Sequence, residues 1–284
     1  MTLSNNPNKT RRIEAAWNRE ITQRWSKFKS AVGNIPLTAL TTNADDEEQS
    51  NIDAFIAAFA LLASDELLGG NGGAWQNEYQ TLSYERSAER AIESAKPILT
   101  AEQALFLTAV IGGQLSYLAE NRNELKFLHT RANDSLNKWV TSLISEVTNI
   151  VQSGLGNLPD KQLIDDIKKR IGVSESRARV IATTEVSQAS QKGVINQCKI
   201  MNDTLDGDFG LRWITVRDSR VRHLHAGWHG QIMTVKQASV NVGISPWNCR
   251  CALVIVRIGQ QSERVKLRFD TERATLLRQE KSTR

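Results

Sequence analysis

"RWITVRDSRVRHLHAGWHGQIMTV", residues 212–235, and "NCRC", residues 248–251, decide how this chain is read. Four histidines and three cysteines are spread over 284 residues, yet His223, His225, His229, Cys249 and Cys251 all fall within this stretch. The local pattern is strand-like. "LRWITVRD", "QIMTV" and "ALVIVRIG" are apolar runs rich in β-branched residues, which predicts a short antiparallel sheet. Asp218 closes the first strand, and Ser219 is placed to cap a short helix through "RVRHLHAGWH".

On such a helix His225 and His229, four apart, share a face. Cys249 and Cys251 stand two apart at the lip of the last strand, so an extended backbone sends both side chains to one side. Two imidazoles and two thiolates are a tetrahedral zinc set, which makes His225, His229, Cys249 and Cys251 the candidate metal ligands and zinc the candidate cofactor. Zinc pairs more often read C-x2-C or longer, and Gly227 weakens the helix. The alternative is a pair of small buried thiols, inert in a reducing compartment. A disulfide between them would close a strained small ring.

Two catalytic readings stand beside these. His, Asp and Asn near a strand–loop–helix resemble a metal-dependent nuclease, and Cys249 with His225 could form a thiolate nucleophile. Neither has a second motif to support it: the sequence holds no glycine-rich phosphate loop, no H-E-x-x-H and no G-x-S-x-G. The chain is therefore expected not to be an enzyme.

Arginines bracket the same stretch. Arg217, Arg220, Arg222 and Arg250 have Asp218 and Glu185 as acids nearby in the pattern. Because a guanidinium holds a carboxylate by two parallel hydrogen bonds, these residues are expected to lock a long helix to the small sheet, with Asn248 in the same polar cluster. The other reading has some of them facing solvent or DNA phosphate, and a solvated face is expected for Arg177, Arg179 and the tail basics.

Upstream the texture is helical. Ile13, Trp17, Ile21, Trp25 and Phe28 make one apolar stripe, followed by a loop through Pro36 and the acidic run "TTNADDEEQS". A central helix is predicted over 51–68, a break at "GGNGG", and further helices near 75–95, 101–120 and 134–152, the last with Leu136, Val140, Leu143, Val147 and Ile150 in register. Leu163, Ile164, Ile167 and Ile171 predict a short helix stopped by Gly172, and Ser174 is placed to cap a long one over "SESRARVIATTEVSQASQKGVINQCKIM". The boundary expected near Gly154–Pro159 gives a helical partner-docking region (1–154), a small α+β domain (155–258) and a basic tail (259–284), helical or a mobile arm. The fold class is α+β, predominantly α.

Bulk properties set few limits. The net charge of +5 and pI near 9.2 favour polyanion partners without requiring them. An odd, low cysteine count argues against a secreted disulfide framework. "MTLSNNPNKTRRIEAAW" has no apolar core to act as a signal peptide, and "NIDAFIAAFALLASDELLG" is too short in its charge-free part to span a bilayer. A product of the cytosol, or of something assembled there, is expected, with no membrane partner.

"RARVIATTEVSQAS" (177–190), residues 212–235 and "NCRC" together resemble the phage Mu F-like head morphogenesis family, the minor head proteins of tailed bacteriophages. Arg177, Ala178, Ile181, Ala182, Thr184 and Glu185 match its helix motif. Trp213, Asp218, Arg220, Val221, Arg222, His225 and Gly230 match the strand and loop, and Asn248, Cys249, Arg250 and Cys251 match its closing motif. The resemblance covers roughly residues 155–257. Thr183 stands where the family usually has arginine, the approach to the cysteines is shortened to "GISPWNCRC", and His223 lies outside the pattern. The resemblance implies a virion component inside the head near the portal, assembled in the host cytoplasm. It further implies the portal oligomer as partner, along with other capsid or scaffold proteins and packaged DNA, and a role in morphogenesis and DNA packaging or ejection.

Overall fold

The computed structural model describes residues 10–35, 45–70, 72–111, 119–154, 160–218, 220–244, 248–261 and 263–281. It is an α+β fold, predominantly helical. Helices α1 (Arg11–Gly33), α2 (Asp45–Leu62), α3 (Asn77–Ala95), α4 (Ala101–Ile111), α5 (Ala119–Gly154) and α6 (Asp160–Thr204) come first. Strand β1 (Phe209–Ile214), helix α7 (His223–Trp228), β2 (Ile232–Met233), α8 (Val235–Gly243), β3 (Ala252–Arg257) and α9 (Glu263–Lys281) follow. Among the described residues, no helix is long and apolar enough to cross a membrane.

The chain forms two compact units that interleave along the sequence. One comprises Ala15–Glu78 and His129–Ala182, the other Met1–Glu14, Tyr79–Leu128 and Thr183–Arg284. The sequence reading cut the chain consecutively, whereas α5 and α6 each give residues to both units.

In the first unit the expected stripe on α1 is buried at Trp17, Ile21, Trp25 and Phe28 and extends to Val32. Trp25 packs on Phe28 and on Trp139 of α5, with ring centroids 5.5 and 5.3 Å apart, and Phe28 meets Phe59 of α2 edge-on at 5.3 Å. Such aromatic pairs add to the stability gained from burial alone.

Several expectations are corrected here. The acidic run read as loop enters α2 at Asp45. The helix expected over 51–68 is α2 followed by a π-helical turn over Ala63–Leu68, ended by Gly69 at φ 71°. It is buried along Ile52, Phe55, Phe59, Ala63, Leu67 and Leu68, with Leu61 exposed. On α5, Val151 rather than Ile150 continues the buried stripe, and the helix begins at Ala119, not near 134. Residues 112–118 and 155–159 lie outside the described residues, as does the Ser219 cap. Gly172 does not stop a helix. α6 runs unbroken for 45 residues, and Ser174 is buried inside it. One glycine costs about 1 kcal/mol in a helix, which the burial of Leu163, Ile167, Ile171, Ala178 and Ile181 outweighs.

The second unit holds the sheet, in order β2-β1-β3, with both pairings antiparallel. Leu211 faces Met233, and Trp213 faces Leu253. Its core joins Val194, Ile195, Cys198 and Met201 of α6 to Phe209, Leu211 and Trp213 of β1 and to Leu253 and Ile255 of β3. "QIMTV" is a strand only over Ile232–Met233. Thr234 caps α8 instead: its hydroxyl accepts from Gln237 N–H while the Gln237 side chain accepts from Thr234 N–H. The basic tail is the helix α9, whose Leu276 is buried with Val221 and Ala226.

Candidate functional site

Everything in the site belongs to the second unit, and α6 supplies its floor. Three polar side chains lie on one stripe of that helix, at spacings of three and four residues. Thr184 Oγ1 accepts from Asn248 N–H at 2.7 Å. Ser187 Oγ donates to the carbonyl oxygen of Cys249 at 2.7 Å, and Gln191 Nε2 donates to that of Cys251 at 2.7 Å. Asn248 turns the chain into this groove at φ 62°, a left-handed conformation that asparagine tolerates better than most side chains. The "NCRC" backbone is thus held at three points along α6 before β3 begins at Ala252.

With the backbone fixed, both thiols converge on one imidazole. Cys249 Sγ lies 3.5 Å and Cys251 Sγ 3.3 Å from His225 Nδ1. All three residues are buried, and their donor atoms fall within 4.8 Å of one another. His225 is clamped by aromatic rings: Trp228 stacks on it at 5.1 Å, and Trp213 meets it edge-on at 5.5 Å. A hydrogen bond from Cys251 pulls the Cys249 thiol down to about 4, and the adjacent His225 adds to this against the cost of burial. Cys251 moves well above the usual thiol range because its proton serves that bond and because it is buried. Cys198 is a separate thiol in the sheet core, pushed up to about 12 by burial.

His229 does not join this cluster. α7 ends at Trp228, and the His229 ring packs toward α9. Thr215 N–H donates to its Nδ1 at 3.1 Å, which leaves Nε2 as the protonated nitrogen, donating to Glu272 at 2.9 Å. Burial lowers its pKa, and Arg217 and Arg273 push the same way, while Glu272 opposes them. Arg217, at φ 62°, also bonds Glu272 at 2.7 Å, and Arg273 reaches the His229 carbonyl.

The expected carboxylate fork is formed by Asp218 and Arg250, with Nη1 to Oδ2 at 2.7 Å and Nη2 to Oδ1 at 2.8 Å. It ties the loop before α7 to the cysteine segment. The hydrogen bond from Arg250 holds Asp218 below the usual carboxylate range, and Arg250 is raised in return. Arg220 donates its backbone N–H to Asp218 Oδ1 at 3.1 Å, and its largely exposed guanidinium lies 3.5 Å from the same carboxylate. Arg222 occupies the residue before α7. Glu185 is buried and accepts from Gln80 of α3 at 3.4 Å.

Sequence reasoning missed Ser187, Gln191 and Glu272. A signal for the first two existed: with Thr184 they recur at three- and four-residue spacing, which places all three on one face of the long helix. Glu272 gave none, since it is one acid in a charged tail.

Residues 142–254 match the family model described as phage Mu protein F like protein. No curated protein and no solved structure matches the chain. Asp218, His225, Gly230 and the "NCRC" segment all fall inside the matched span, each holding part of the polar and thiol cluster or its flanks. The segment 142–254 is thus similar to the phage Mu protein F like family.

Proposed function

We propose that this chain is a minor head protein, carried inside the head at the portal vertex, that acts in head morphogenesis and in packaging or delivery of DNA. The family match over residues 142–254 carries this reading. The role is one of assembly rather than catalysis. In support, the most reactive groups, Cys249 and His225, are buried against α6 and between indole rings. Partners are the portal oligomer, other capsid or scaffold proteins, and packaged DNA, for which the net charge of +5 is favourable.

Virions purified from wild-type phage, and particles from a deletion of the gene, test the proposal. The protein is expected in virions in few copies, cross-linked to portal, and its loss yields defective or non-infectious heads. Absence from virions would overturn it. Salt-sensitive DNA binding without portal capture would favour a DNA-binding module, and metal-dependent DNA cleavage abolished by His225→Ala would favour a nuclease.

A further inference from the structure

We propose that His225 Nδ1, Cys249 Sγ and Cys251 Sγ bind one zinc ion, with a water molecule as the fourth ligand. The inference stands apart from the head-protein reading and rests on the geometry of the second unit.

Around a tetrahedral zinc, with Zn–S near 2.3 Å and Zn–N near 2.0 Å, each sulfur–nitrogen edge measures about 3.5 Å. The two sulfur–nitrogen edges here are 3.5 and 3.3 Å, close to those the ion would impose, and all three donor atoms lie within 4.8 Å of one another. A set of two sulfurs and one imidazole suits zinc among the common biological cations, and excludes calcium and magnesium, which take oxygen. The set is also preformed. Ser187 and Gln191 fix the carbonyls of both cysteines, and Asn248 is fixed by Thr184. His225 Nε2 is buried with no hydrogen-bond partner among the described residues. The ring is oriented by Trp213 and Trp228, where many metal-bound histidines use a hydrogen-bonded acceptor.

The fourth position follows from a small cavity bordered by His225, Cys249, Cys251, Val216 and Arg222, with room of about 20 Å³. That is enough for one water and too little for a substrate. The ion would join α7 to the segment that starts β3. His229, engaged with Thr215 and Glu272, is not a ligand.

The test is elemental analysis of the full chain, purified under reducing conditions without chelator and again after incubation with zinc. One equivalent of zinc per chain is expected, absent from Cys249→Ser/Cys251→Ser and from His225→Ala, and retained in His229→Ala and Cys198→Ser. Cobalt in place of zinc should give the charge-transfer absorption of a cobalt–thiolate centre. If the cysteine variant does not fold, the wild-type stoichiometry and cobalt spectrum still decide. No metal in the wild type after zinc incubation, or loss of zinc in His229→Ala but not in His225→Ala, overturns the proposal. So does a stoichiometric metal other than zinc.

Discussion

Ser187, in the middle of a 45-residue helix, donates its hydroxyl to the carbonyl oxygen of Cys249 at 2.7 Å. One turn further on, Gln191 does the same for Cys251. A helix that would otherwise serve only as a wall thereby sets the position of two thiols 60 or so residues away.

Removing either donor leaves a buried carbonyl unpaired. Ser187→Ala and Gln191→Ala are each expected to cost about 1–3 kcal/mol, read from urea unfolding midpoints. An unchanged midpoint in both would mean the cysteine segment is held by other contacts.

The Asp218–Arg250 fork should appear in the acid limb of stability. The folded-state pKa of Asp218 is depressed below its ordinary 3.8, so its contribution is complete above that pH and is lost as pH falls through the folded value. Asp218→Ala should flatten this limb and cost about 1–2 kcal/mol at neutral pH, discounted for partial exposure. Arg250→Lys should resemble it, since an ammonium cannot make both bonds. Unfolding curves collected from pH 2 to 7 provide the check.

His229 gives a second pH dependence with a different window. Burial depresses its folded pKa below 6.5, so the unfolded chain takes up the proton first. Stability from this site is complete above about pH 6.5 and declines as pH falls toward the folded value. Protonation at Nδ1 would also remove the acceptor for Thr215 N–H. NMR titration of the imidazole should place its midpoint below 6.5, and a midpoint above it would contradict the arrangement. Hydrogen exchange in α9 should rise over the same range, because Glu272 is carried by that helix.

Gly230 is required twice over. Its φ is 78°, and a Cβ there would collide with the Phe269 side chain of α9. Gly230→Ala is expected to destabilise by about 2–4 kcal/mol, combining the left-handed backbone cost with overpacking. A thermal melt measures the total, and hydrogen exchange should show α9 loosened first.

The class of the fold, the order of helices before sheet, and the concentration of His and Cys in one place were all legible in the sequence. It also offered Asp218 or Glu185 as the acid for one of the clustered arginines, because periodicity, turn residues and charge are local properties. It misjudged Gly172 and Ser174 because a helix terminus depends on what the continuing helix can bury, and here that gain exceeds one glycine's cost. Which histidine meets the cysteines is set by long-range packing. His225 and His229 are equivalent by spacing, yet α7 ends between them and their rings part, one to the thiols and one to Glu272. It also decided that Thr184, Ser187 and Gln191 grip the "NCRC" backbone. Hydrogen bonds between residues 60 or more apart follow from how α6 and β3 pack, and no local pattern encodes that.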